Sequence, residues 1–395
     1  MAIGSRACTI LSLALIAQQP QFKTAVERVV VDVQVVDNQG RPISSLTADD
    51  FEVRLDQGIR KVATVEFIRD AAAETLAAGA PARQAAPESG AGPSTGRDFV
   101  LAVDESSFHT RYAPAAVRAA RGFIERLSPI DRVGLYLYPV SRRSFLMTTD
   151  HAAVLKELDG VVGTLDPPIS EFHLAKSEVI DISAGDADAL ARVAARACSR
   201  TDRTCRDRIK GEANTMAMVF ESQVAASMGG LRTLFTALRQ DPERKTVVVV
   251  SGGLLASDRA GGRPDVSGII TTLGEQAARS NARLYVLHMD SSFLEAFSAA
   301  NGDPAPVSLM RDQSASEGGL DRLAGTAGGT LVRVEPGGED RAFQRILRET
   351  SAHYVLGVEP LDRDRDGRAH YISVKVRIHG ADVRSRRTVV IPVKG

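Results

Sequence analysis

The stretch Phe99-Val100-Leu101-Ala102-Val103-Asp104-Glu105-Ser106-Ser107 carries the strongest structural signal in the chain. Phe99 to Val103 is apolar without a polar break, which suits a strand buried on both faces under helices. A carboxylate and two hydroxyls follow it at once. In an open parallel sheet, ligands collect beyond the carboxyl ends of the strands, so Asp104 marks a candidate site. Working outward, Val117, Ala120, Ile124 and Leu127 recur at helical spacing. Val133–Tyr138, Thr246–Val250, Arg283–His288 and Leu331–Val334 read as further strands, and Phe145–Thr148 as an edge strand. Helices are expected at Ile269–Ala278 and around Leu320–Leu323 and Phe343–Leu347. The alternation predicts an α/β, Rossmann-like domain over 98–350: a mostly parallel sheet with helices on both faces.

A different period flanks this region. Val29, Val31, Val33 and Val35 alternate with mostly polar neighbours, as do Phe51, Val53, Leu55 and then Ala63, Val65, Phe67. With turns at Asp37-Asn38-Gln39-Gly40 and Asp56-Gln57-Gly58, residues 28–69 predict a small β unit. Strands return over 351–395: Tyr354–Val358, then Ile372 to Ile378, then Val383–Ile391 as one strand. Residues 71–97, rich in Ala, Gly and Pro and nearly devoid of large apolar side chains, predict a flexible linker. Residues 186–239 interrupt the α/β rhythm as a helical insertion. There Met216, Phe220, Val224, Met228, Leu231, Leu234 and Leu238 keep a 3.6-residue period that predicts core packing.

Composition narrows the partners. Lys+Arg and Asp+Glu are 49 each, so the formal charge is zero, whereas nucleic-acid binding relies on a cationic surplus. No apolar run approaches the roughly 20 residues of a membrane-spanning helix, which excludes an integral multi-pass protein. Arg6 followed by the mostly apolar Ala7–Ala17 and then Gln18-Gln19-Pro20 reads as an export signal over 1–19. A periplasmic, cell-envelope or extracellular location follows. Cys198 and Cys205 would then sit in an oxidising compartment. On one continuous helix a spacing of seven residues separates the α-carbons by about 10 Å, beyond the roughly 7 Å reach of a disulfide. The polar Ser199–Thr204 stretch can turn between two helices, so a Cys198–Cys205 bridge is expected, with two separate thiols as the alternative.

The Asp104-Glu105-Ser106-Ser107 loop resembles that of a von Willebrand factor A domain, whose metal-ion-dependent adhesion site uses Asp-x-Ser-x-Ser after the first strand. The match keeps Asp104 and Ser106, but Phe108 stands at the final Ser position. The carboxylate that the family places after its fourth strand is absent from Val250-Ser251-Gly252, and the threonine from another loop has no clear counterpart, Thr233 falling inside a helix. Asp290, after the next strand, could partly substitute. Further stretches resemble the acidobacterial VWFA-related family over residues 28–395. They are Leu46-Thr47-Ala48-Asp49-Asp50-Phe51-Glu52-Val53, Glu243-Arg244-Lys245-Thr246, and Tyr354-Val355-Leu356-Gly357-Val358 with Asp366-Gly367-Arg368 and Ile372-Ser373-Val374-Lys375-Val376. The resemblance implies an A-type domain with flanking β elements at both chain ends. It implies binding or adhesion at the sheet's carboxyl edge, lined by Asp104, Ser106, Ser107, Ser251 and Asp290. Two states stay open for Asp104 and Ser106: a divalent cation such as Mg²⁺, or a metal-free remnant that caps the sheet.

Other motifs lead elsewhere. Asp362, Asp364, Asp366 and Gly367 copy the start of a calcium loop, but Ser373 occupies the position of its closing Glu, so a turn between strands is expected. Ser251 lacks the Gly two residues before it that a nucleophile elbow needs, and the seven His residues show no zinc-like spacing. The chain is expected to be a binding protein with an unknown protein partner and no enzyme activity. A structural envelope component without a ligand, or a serine hydrolase using Ser251, are the alternatives.

Overall fold

The computed structural model describes residues 28–69, 96–140, 145–166, 170–241, 243–259, 261–289, 306–334 and 339–393. The expected export signal lies outside them, as does the expected linker apart from Gly96 and Arg97. Arg97 is fastened to the buried Asp131 carboxylate at 2.7 Å.

The opening stretch forms a fully buried strand, Asp98–Asp104. In chain order the described strands are β1 (Val29–Val36), β2 (Phe51–Leu55), β3 (Gly58–Arg60), β4 (Val62–Arg69), β5 (Asp98–Asp104), β6 (Arg132–Tyr138), β7 (Lys245–Ser251), β8 (Ala282–Met289), β9 (Thr330–Val334), β10 (Ala352–Val358), β11 (Ala369–Val376), β12 (Asp382–Ser385) and β13 (Thr388–Val390). The described helices are α1 (Ala113–Ile124), α2 (His151–Leu158), α3 (Lys176–Ser183), α4 (Ala187–Ala197), α5 (Cys205–Leu238), α6 (Ser267–Arg279), α7 (Pro306–Thr326) and α8 (Glu339–Glu349).

Five strands form a parallel sheet in the order β6-β5-β7-β8-β9. Side-chain alternation divides β5 between two layers. Phe99, Leu101 and Val103 meet Phe123 of α1, Leu158 of α2 and Phe343 of α8. Val100 and Ala102 meet Leu231 and Phe235 of α5, Ile270 of α6 and Leu320 of α7. Val247 to Val250 of β7 are wholly buried, each worth roughly 1.5–3 kcal/mol relative to exposure. This is a Rossmann-like α/β arrangement. The expected edge strand at Phe145–Thr148 is not formed: Thr148 alone makes an antiparallel bridge, to Val133. The Phe145 ring instead sits over Gly134, where a Cβ would meet it at 2.6 Å. Side-chain packing here takes the place of a ladder.

The β elements join into a two-sheet sandwich. One sheet runs β12-β1-β10-β4 and the other β13-β11-β2-β3, with Val31, Val33, Val53, Leu356 and Ile372 in the shared core. Residues 28–69 are therefore not a unit by themselves. β1 and β4 flank β10, and β2 pairs with β11. The strand expected over Val383–Ile391 divides at Arg386-Arg387 into β12 and β13, which serve different sheets.

The helical interruption also differs from its expected bounds. It starts earlier, with α3, and α5 serves two cores. Its first half joins α3 and α4 around Val179, Val193, Ile209 and Phe220. Its second half, from Val224 to Leu238, covers the parallel sheet. Ser199–Thr204 turns the chain between α4 and α5, bringing Cys198 and Cys205 into a disulfide with α-carbons 5.9 Å apart.

Sandwich and sheet meet across the outer face of β1. Tyr285 Oη donates to Gln34 Oε1 at 3.0 Å, Gln34 Nε2 donates to the Glu349 carbonyl, and the Glu349 carboxylate pairs with Arg384. The ion-paired side chains are 0% and 7% exposed, and Arg384 keeps Asp382 as a second partner, so removing Glu349 leaves a buried guanidinium with part of its pairing lost. Glu349→Ala is expected to lower stability by about 1–3 kcal/mol in urea unfolding. The Cys198→Ser/Cys205→Ser double variant should lose about 2–3 kcal/mol on chain-entropy grounds, and non-reducing peptide mapping of the parent should recover the linked peptides.

Candidate functional site

Numbered within the α/β domain, the strand order is 2-1-3-4-5, so β5 and β7 flank the point where successive crossovers leave for opposite faces. In open parallel sheets, ligands bind beyond the carboxyl ends of the strands at such a point. Asp104 closes β5 there and caps the short 3₁₀ turn Glu105–Ser107. Its parity with Val100 and Ala102 turns it towards α5.

Each side chain of this turn has a partner. Asp104 Oδ1 accepts from Ser106 Oγ at 2.6 Å and from Ser106 N at 3.2 Å. Oδ2 accepts from Ser227 Oγ, on α5, at 2.7 Å. Ser107 Oγ donates to the Asp104 carbonyl at 2.7 Å and accepts from Gly252 N at 2.8 Å. Glu105 Oε1 accepts from Val162 N at 3.0 Å, which ties the loop after α2 to the turn. Two glycines permit these approaches. A Cβ on Gly252 would lie 2.4 Å from the Ser107 carbonyl oxygen, and one on Gly230 of α5 2.8 Å from Tyr138 Cβ.

Burial sets the electrostatics. The Asp104 residue is 2% exposed, and desolvation pushes its carboxyl up to about 6 even though the Ser106 and Ser227 hydroxyls pull it down. Tyr138, its register partner on β6, is held well above the ordinary phenol value by burial and by the Asp104 charge.

Of the expected face, Asp104, Ser106 and Ser107 share one hydrogen-bonded turn, and Ser251 adjoins it through Gly252. Asp290 lies outside the described residues. Ser106 and Ser107 are half-buried, whereas Ser251 is wholly buried, its hydroxyl donating to Gly253 O at 3.3 Å and accepting from Gly253 N at 3.2 Å. The β7–β8 register sets His288 beside Ser251, a proximity the spacing did not reveal, but His288 is 2% exposed and the pair does not face solvent. Phe108 is core, in contact with the α1 layer. Ser227 and Tyr138 were missed in the sequence. The available signal was a hydroxyl at position 227, on the apolar stripe between Val224 and Leu231.

A hard cation needs several oxygens with free lone pairs converging on one point. Here one carboxylate is present and both its oxygens accept from hydroxyls. Phe108 fills the third position with an apolar ring. Among the described residues, no three His, Cys, Asp or Glu side chains are grouped as metal ligands. As arranged, Asp104 and Ser106 do not fit a divalent cation. The turn does leave Ser106 and Ser107 half-buried at the carboxyl edge of the sheet.

Because folded Asp104 keeps its proton to about pH 6, the native state binds a proton that the unfolded chain has lost above about pH 4. Its contribution to stability is complete below the unfolded value and is lost as pH rises through 6, by roughly 3 kcal/mol at 1.36 kcal/mol per unit. Urea unfolding between pH 4 and 7 should show this loss in the parent and not in Asp104→Asn; parallel profiles would refute it. Ser227→Ala should cost about 1–3 kcal/mol at pH 7, where the ionised carboxylate loses a donor. No protein-family model matches this chain, and no curated protein matches it.

Proposed function

We propose that the chain is a von Willebrand factor A-type protein akin to the acidobacterial VWFA-related family, exported to the periplasm, envelope or exterior, where it binds a protein partner. The observation that carries the reading is the Asp104–Ser107 turn at the carboxyl end of β5, beside β7. Its Asp-x-Ser core, the leading strands and the C-terminal strands are the stretches that resemble the family. Recognition runs through the partly accessible Ser106 and Ser107 and the adjoining backbone, by shape and polar contact. A formal charge of zero supports a protein partner over a polyanion. Complete burial of Ser251 supports binding over hydrolysis, since a nucleophile must reach its substrate.

The closure of the turn by its own hydrogen bonds favours a second reading, an envelope component that uses the turn as a cap and takes no ligand. One experiment separates the two. The parent, Ser106→Arg and the remote Arg363→Ala serve as baits against a cell-envelope extract, with captured proteins quantified by mass spectrometry. A partner held by the parent and Arg363→Ala, and reduced at least tenfold by Ser106→Arg, is the expected result. A partner held equally by all three overturns recognition at this edge, and the absence of any specific partner favours the structural role.

A further inference from the structure

At the edge of the parallel sheet opposite Asp104, a small, partly open cleft separates the sheet from the outer face of β1. Its charged lining is Arg244, just before β7, Arg283 on β8, Arg386 between β12 and β13, and Asp32 on β1. The cations outnumber the acid. Arg283 is 8% exposed; its Nη2 donates to the Arg384 carbonyl at 2.9 Å, while its Nη1 is buried without a hydrogen-bond partner. Arg386 donates through Nη2 to the Val30 carbonyl, and its Nε is likewise buried and unpartnered. Such orphan donors are costly to leave without an acceptor. Burial and the Arg244 charge pull Arg283 down to about 10. Burial, then Arg244 and Arg283, press the neighbouring His353 down to about 2, so it adds no charge.

The cleft also receives the carboxyl ends of α6 and α7, through Ala278 and Ala327. Each helix end carries about half a negative charge. Against three guanidinium groups, these ends and Asp32 leave about one positive charge in excess. The arginines converge from three separate elements, a geometry suited to a tetrahedral oxyanion with acceptors in several directions.

We propose that this cleft is an oxyanion site that takes a phosphoryl group, either the free ion or the phosphate end of a small molecule. The site is independent of recognition at the opposite edge. Because Arg386 belongs to the sandwich while Arg244 and Arg283 belong to the sheet, occupancy ties the two together and stabilises the folded state by mass action.

The test is calorimetric titration and thermal unfolding of the full chain in low-salt buffer with inorganic phosphate, against sodium chloride at matched ionic strength. Saturable binding with a rise in Tm that chloride does not reproduce is expected. Affinity should fall at least tenfold in Arg386→Gln, a half-buried position where folding is expected to survive, and in Arg283→Gln. If Arg283→Gln does not fold, Arg386→Gln decides. A Tm rise matched by chloride, or unchanged phosphate binding by folded Arg386→Gln, overturns the proposal. Glycerol 3-phosphate is the second arm. Tighter binding than phosphate assigns the cleft to an esterified phosphoryl group, and weaker binding assigns it to the free ion. If neither gives saturable binding, the proposal fails.

Discussion

The arrangement depends on the antiparallel pairing of β10 with β1 on one side and β4 on the other. β10 brings Tyr354, Leu356 and Val358 to the same core as Val29, Val31 and Val33. Once that ladder forms, β1 can bury its second face only against the parallel sheet. Gln34 and Val36 on that face are almost wholly buried. The polar contacts of Gln34, Tyr285 and Glu349 then fix the relative placement, since an unsatisfied group in this contact carries a desolvation cost. The arginine-lined cleft is what remains where the two surfaces do not close completely.

The opposite edge solves a different electrostatic problem. A carboxylate at the end of a central strand is costly to bury ionised. Ser106 and Ser227 offset part of that cost without a counter-charge, which leaves Asp104 titrating near 6. The helix that carries Ser227 to Asp104 also packs Gly230 closely against Tyr138, the register partner of Asp104. Close packing and the choice of hydroxyl partners are thus one constraint.

The parallel sheet was legible because burial on both faces leaves unbroken apolar runs, as in Phe99–Val103 and Thr246–Val250. Most of the sandwich strands were legible individually, the short β3 excepted, but their partners were not. A period of two tells which side chains turn inward, not that Val33 lies against Tyr354. The division of Val383–Ile391 was hidden for a related reason, since alternation passes through Arg386 without a glycine or proline to mark the break. At the candidate site, Asp104 and the two serines stood out by their place after a strand. Ser227 did not, because a small hydroxyl on an apolar helical face reads as a tolerated gap until the distance to Asp104 is known. The long helix misled in extent: one continuous stripe from Met216 to Leu238 conceals the point, near Val224, where α5 passes from one core to another.

The placement of β10 late in the chain also orders events during synthesis. β4 ends at Arg69 and β10 starts at Ala352, so about 280 residues separate them, roughly 14–57 s at 5–20 residues per second. Throughout that interval β1 and β4 lack the strand that lies between them and present open hydrogen-bonding edges. The intervening α/β segment contains all five strands of its own sheet and can complete that sheet first. The nascent chain therefore carries a finished domain beside an unfinished one, and its period of greatest exposure to strand-mediated aggregation ends only when the β10 strand emerges.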